Sequence, residues 1–186
     1  EKNIIRKNYL KLLSRRLKKF EKETLGEIDA LVPITSVDES AFRQFQFKKP
    51  VLTVPMCLDI KDYAFDENKK TEMCLFHLGS MDWMPNLEAV DWFLKNCWLS
   101  LHTLFPDLRL YLAGRSFPEE IIAANYPNVI CEGRIEDAHT YMSEKQIMIV
   151  PLHSGSGMRV KIIQGMALGK TIISTTIGAE GIPVKN

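Results

Sequence analysis

At 186 residues, with 46% apolar and 25% charged side chains, the chain is long enough for one well-buried domain and part of another. A formal net charge of +1 argues against intrinsic disorder and against a general affinity for nucleic acid. No apolar run reaches the ~18 residues that a membrane-spanning helix needs.

The first 27 residues carry Ile5, Tyr9, Leu13, Leu17 and Phe20 at spacings of three and four, which predicts a helix. Nine Lys and Arg against three Glu fall within the first 23 positions. Such a helix reads as a domain helix with a solvated basic face, or as one lying peripherally on an anionic membrane surface. A short strand is expected over Ala30 to Ile34, then a capped helix start at Thr35-Ser36-Val37-Asp38-Glu39. Lys48-Lys49-Pro50 and the extended Val51 to Met56 read as a connector, and the polar stretch Asp59 to Thr71 as a domain boundary.

From Glu72 onward strand and helix patterns alternate. Apolar runs at Cys74 to Leu78, Leu108 to Leu112, Val129 to Cys131, Ile147 to Val150 and Thr171 to Ser174 are strand candidates. The clearest helix spans Pro85 to Leu104, where Leu87, Val90, Leu94, Cys97, Trp98 and Leu101 trace one face. This alternation predicts an α/β fold, a Rossmann-like parallel sheet with helices on both faces. Cys57, Cys74, Cys97 and Cys131 form no CxxC pair and read as reduced core thiols, which implies a cytoplasmic setting and no metal site.

Glycines recur at the expected strand ends: Gly79, Gly114, Gly133, Gly155 with Gly157, then Gly178 with Gly181. In open α/β sheets ligands lie outside those ends, where the backbone must approach them closely. The richest segment is Pro151 to Gly181. A strand runs into a loop with Gly155 and Gly157, Arg159 and Lys161 open the next helix, and Gly169 caps its end. Bare amides, helix dipole and two cations then converge, which suits a phosphorylated ligand. Arg159 and Lys161 would diverge on a regular helix, but both could reach a diphosphate from a loop-to-helix transition. Gln164 is the first polar group expected on the crevice face of that helix, able to give and accept hydrogen bonds with a sugar hydroxyl. His153 is a candidate pocket residue, whereas His77 and His102 read as satisfied structural histidines. Gly165 to Thr171 imitates a Walker loop but has three residues between its glycines where four are required. No GxGxxG, HExxH or GxSxG occurs, which weighs against dinucleotide, zinc-protease and serine-hydrolase chemistry.

Four segments, FHLGSMDWMPNLEAVDWF, LYLAGR, VICEGRIED and PLHSGSGMRVKIIQGMALGKTIISTTIGAEGI, together resemble the C-terminal, donor-binding domain of GT-B fold glycosyltransferases of family 4. The resemblance covers about Cys74 to Ile182. It implies that residues 1–54 are the end of an N-terminal acceptor domain with its linker. Residues 55–186 would form the nucleotide-sugar-binding domain, incomplete at its C-terminus. The implied activity is sugar transfer from a nucleotide-diphosphate-sugar to a glycan or lipid-linked acceptor, with retention and without a metal cofactor. By the same resemblance Gly133, Arg134 and Ile135 border the base, and Arg159 and Lys161 face the diphosphate. Gly79, Ser80, His153, Ser156, Gly157 and Met158 complete the donor site. Ser156 and Gln164 stand where the family carries paired glutamates, and an amide offers the ribose one acceptor oxygen in place of a carboxylate's two. That difference is expected to cost donor affinity on the order of 1 to 3 kcal/mol. Two other functions remain open from the residues: a non-catalytic nucleotide-sugar or phosphate-binding module, and a membrane-surface scaffold led by the basic helix. Without an acceptor domain the chain is expected to bind but barely catalyse, and uncovered apolar surface makes a homodimer plausible.

Overall fold

The computed structural model describes residues 2–63 and 72–183. The side chain of Ile5 and residues 64–71 of the predicted boundary lie outside that description. The chain divides into two compact units, Glu1–Met56 and Cys57–Asn186.

In the first unit, α1 (Lys2–Glu27) keeps Tyr9, Leu13, Leu17 and Phe20 exposed. Helix α2 (Ser36–Gln44) starts where predicted, because Thr35 adopts an extended backbone and its Oγ1 accepts a 3.0 Å bond from the Asp38 amide. Removing that cap with Thr35→Ala is expected to cost about 1 kcal/mol locally. The measurement is amide exchange, which should quicken at Asp38 and Glu39 and stay unchanged in the second unit. The strand expected over Ala30 to Ile34 is corrected to a single parallel bridge between Leu31 and Val51. Backbone bonds do run from Leu31 to Pro50 and from Leu52 and Val54 back to Leu31 and Pro33. Pro33 and Pro55 carry no N–H, so the ladder cannot lengthen.

The second unit is a parallel sheet of β1 (Glu72–Leu78), β2 (Arg109–Ala113), β3 (Val129–Gly133), β4 (Lys145–Val150) and β5 (Thr171–Ser174). Its strand order is β3-β2-β1-β4-β5. The period-two alternation of each strand sorts its side chains into two cores. Cys74, Phe76, Tyr111, Ala113, Met148 and Val150 pack on one face against α6 (Ala138–Glu144) and α7 (Val160–Ala167). Leu75, Leu110, Leu112 and Ile149 pack on the other, under α3 (Met84–Phe93) and α5 (Glu119–Ala123).

The helix predicted over Pro85 to Leu104 is interrupted. Helix α3 passes through a π turn, Leu94–Trp98, into α4 (Leu99–Leu104). The wider turn seats Trp98, which is fully buried and donates from Nε1 to the Pro127 carbonyl at 2.8 Å.

Toward the amino ends of β1 and β2 lies an apolar hollow of about 680 Å³, lined by Met73, Leu101, Leu104, Phe105, Ile147 and Ile173 among others. At the carboxyl ends the main chains of successive loops touch. Gly79 N bonds Ala113 O at 2.8 Å, and Gly114 N bonds Gly133 O at 2.7 Å. Gly114 sits at φ +150°, where a Cβ would collide with the Gly79 carbonyl.

Candidate functional site

The strand order reverses between β1 and β4: the chain builds outward through β2 and β3, then returns to the other side of β1. A crevice at the carboxyl ends must open at this switch point. The loop after β4, with Gly155 at φ +101° and Gly157 at φ +87°, forms one wall. It is pinned to α3 by the Ser154 hydroxyl donating to Glu88 at 2.8 Å and by the His153 ring standing edge-on to Trp92 with centroids 4.3 Å apart.

Arg159 is the cap residue of α7 and only 8% exposed. Its side chain folds back over the loop, donating from Nη1 to the carbonyls of Ser156, at 2.6 Å, and Gly157. The guanidinium carbon lies 5.1 Å from the centre of the Trp83 ring. Its Nε and Nη2 find no partner among the described residues. Leaving buried charged donors unpaired is costly, so this edge of the fork is built for an acceptor. Burial lowers the Arg159 pKa and the Glu180 charge opposes the shift, yet a guanidinium stays protonated throughout the physiological range.

Lys161, two residues on, reaches under the end of β1 and donates to the Leu78 carbonyl at 2.7 Å. Burial, followed by the nearby Arg159 charge, depresses its pKa to about 8. The expectation that both cations lie at one loop-to-helix transition is met by two different routes, one folded back and one extended inward. Glu180 accepts a 3.1 Å bond from the Gly157 amide, so an internal carboxylate already holds one loop N–H. Met158 is half-buried between these groups in sequence, and Ser156 is exposed.

On the other wall, Gly79, Ser80, Gly114, Arg134 and Ile135 line a hollow of about 280 Å³. Gly133, at φ +67°, closes β3, and Asp137 caps α6 by accepting from the His139 and Thr140 amides, which fixes the loop between them. Asn86 donates to the Ser80 carbonyl at 2.9 Å, while Ser80 Oγ and Asn86 Oδ1 remain buried without partners among the described residues.

Two expectations change in detail. His77 is only half satisfied: fully buried, it bonds the Ile149 carbonyl through Nδ1 at 3.1 Å, and its Nε2 has no partner among the described residues. A carbonyl requires Nδ1 to carry the proton, and burial with the Lys161 charge holds the His77 pKa well below its usual value, so the ring is neutral. Gln164 does not simply face an open crevice; its Nε2 donates to the Tyr63 hydroxyl at 3.0 Å. Tyr63, Trp83, Asn86 and Glu180 are contributors that the residue patterns did not single out. Trp83 and Asn86 sit inside the DWMPN segment, whose position after a strand-end glycine was the available signal; nothing local marks Tyr63 or Glu180.

The sequence matches the profile of the family described as "Glycosyl transferases group 1" over residues 72–185. The chain belongs to the group 1 glycosyl transferases. Its parallel sheet is that of the C-terminal domain of the GT-B fold. Among curated relatives of this group 1 chain, an uncharacterized 44.6 kDa protein in the cps region of Klebsiella pneumoniae is 24% identical over 128 residues, 64% of this chain and 33% of the relative. Among solved structures, the pneumococcal O-GlcNAc transferase GtfA in complex with UDP and GlcNAc superimposes with a TM-score of 0.68 at 12% identity, over 85% of this chain and 32% of that one. Anabaena Alr3699/HepE in complex with UDP and glucose gives 0.61 at 13% identity, over 85% and 47%. The group 1 chain thus spans about a third of the length of the curated relative and of the pneumococcal transferase.

Proposed function

We propose that this chain is the nucleotide-sugar-binding half of a retaining glycosyltransferase that acts without a metal cofactor on a glycan or lipid-linked acceptor. The observation that carries the reading is the pair of buried Arg159 donors, without partners among the described residues, beside the glycine loop, with Lys161 one step further in. A diphosphate supplies the acceptors that Nε and Nη2 lack, and the two cations stabilise the nucleotide as it departs. The hollow between Gly79 and Ile135 accommodates the base, a reading supported by Arg134 and Ile135 among its lining residues. Structural neighbours determined with UDP support a nucleotide ligand of this class. A lipid-linked acceptor would bring the protein to a membrane surface, where the basic side of α1 would meet anionic headgroups.

Calorimetric titration of the chain with UDP, GDP and their common sugar conjugates tests the reading. Binding is expected for at least one nucleotide, weakened tenfold or more by Arg159→Met. Gln164→Glu is expected to tighten it by about three- to tenfold, since a carboxylate can accept from Tyr63 and from the ligand at once. Absence of heat with every nucleotide and conjugate would sink the proposal.

A further inference from the structure

Trp83 occupies the N-cap position of α3 with an extended backbone, φ −91° and ψ 109°, and its side chain makes no capping bond. That position favours Ser, Thr, Asp or Asn, whose side-chain oxygen takes up an unpaired helix amide. An indole there does nothing for the helix, and at 39% exposure it is not placed by burial in the core either. It serves the neighbouring loop. A Cβ on Gly155 would lie 3.1 Å from two atoms of the Trp83 ring and 3.0 Å from Arg159 Nη2, so indole and guanidinium close on the same glycine.

Helix α3 and the glycine loop meet in reverse order. Trp92 stands against His153, Glu88 accepts from Ser154, and Trp83 packs beside Gly155. The next two carbonyls, of Ser156 and Gly157, are taken by Arg159 Nη1. A loop with two glycines has wide backbone freedom, yet every residue from His153 to Gly157 is anchored. Trp83 joins the two sets of anchors, because it touches the loop and lies under Arg159. A guanidinium held only through Nη1 can still swing about that point. The ring against it opposes the swing and so sets the direction of Nε and Nη2, the two donors without partners among the described residues.

We propose that Trp83 is a positioning residue that fixes the plane of the Arg159 guanidinium, so that Nε and Nη2 face the diphosphate before the ligand arrives. Side-chain freedom that binding would otherwise remove is then already spent in the folded chain. The inference rests on the nucleotide reading above and goes beyond it by giving a role to a residue that acts through Arg159.

The test titrates the intact chain with UDP and GDP. Trp83→Met keeps apolar bulk beside Gly155 without a ring face, and should lower affinity about 3- to 10-fold at an unchanged melting temperature. Trp83→Phe restores a weaker ring face and should recover part of that loss. In an Arg159→Met background, Trp83→Met should cost less than about twofold more, since its effect passes through the guanidinium. Full affinity in Trp83→Met overturns the proposal while leaving the nucleotide reading intact. So does an equal loss with and without Arg159, which would make Trp83 a direct ligand contact, and so does Trp83→Phe binding no better than Trp83→Met. If Trp83→Met does not fold, Trp83→Phe decides: a loss of about two- to threefold is expected, and wild-type affinity overturns the proposal. Failure of wild type to bind either nucleotide overturns both readings.

Discussion

Lys161→Ala is expected to lower nucleoside-diphosphate affinity by about tenfold to a hundredfold, the range for losing one charge-assisted hydrogen bond. Wild-type affinity should itself fall as pH rises through about 8, where this ammonium gives up its proton. The ordinary lysine value of 10.5 applies to the unfolded chain. Between about 8 and 10.5 the unfolded state therefore binds a proton that the folded state does not, and stability without ligand must rise with pH across that window. At neutral pH the buried charge costs on the order of 3 kcal/mol. An anion in the cradle reverses the sign, raising the Lys161 pKa and drawing in a proton when binding occurs near pH 8 to 9. Three readouts follow from the one cause. Titrations with a nucleotide-sugar conjugate, whose diphosphate has no group ionising near neutrality, should disagree near pH 8.5 and agree at pH 6.5 between buffers of different ionisation heat, Lys161→Met should melt higher than wild type at pH 7, and its pH-dependent gain should vanish. Equal affinity from pH 7 to 9.5 would show that Lys161 is not the cation facing the ligand.

Gly114→Ala is expected to destabilise the sheet unit by about 3 kcal/mol or more, a fall in Tm of about 10 °C. Two penalties act together. At φ +150° an L side chain is strained in any surroundings, and here a Cβ would run into the Gly79 carbonyl and crowd the Ser80 amide. Relief requires the β1 loop to move away from the β2 loop, which breaks the contact that shapes the hollow at Gly79, Ser80 and Ile135. Nucleotide affinity should therefore drop along with the melting temperature in differential scanning calorimetry and titration. A variant that melts normally would mean that these loops yield easily and that the close approach is incidental.

The sheet was legible because every strand carries a short apolar run between polar turns, and a parallel strand buried on both faces can hardly read otherwise. The glycine loop was legible for a different reason: φ values near +90° at Gly155 and Gly157 are open mainly to glycine, so the backbone need is written in the residue type. The π turn was not, since Leu94 to Trp98 have ordinary helical character and the extra residue answers to the pocket that Trp98 fills beside Pro127. Nor could spacing say that Arg159 would curl back onto Ser156 and Gly157 under Trp83 while Lys161 ran inward to Leu78. Rotamers of long cationic side chains are decided by what surrounds them. Tyr63 was hidden most fully, because its partner lies 101 positions away in the sequence.

The apolar hollow at the amino ends of the strands bears on how the molecule behaves as a solute. Leu104 is 71% exposed and Met73 64%, and Ile173, on an edge strand, 56%. Apolar side chains gathered beside a strand edge that is unpaired among the described residues favour self-adhesion. The ligand edge sits at the carboxyl ends of the same strands. Colloidal behaviour and the proposed nucleotide site thus fall at opposite poles, and charged replacements at Met73 or Leu104 are expected to improve solubility without touching the proposed site.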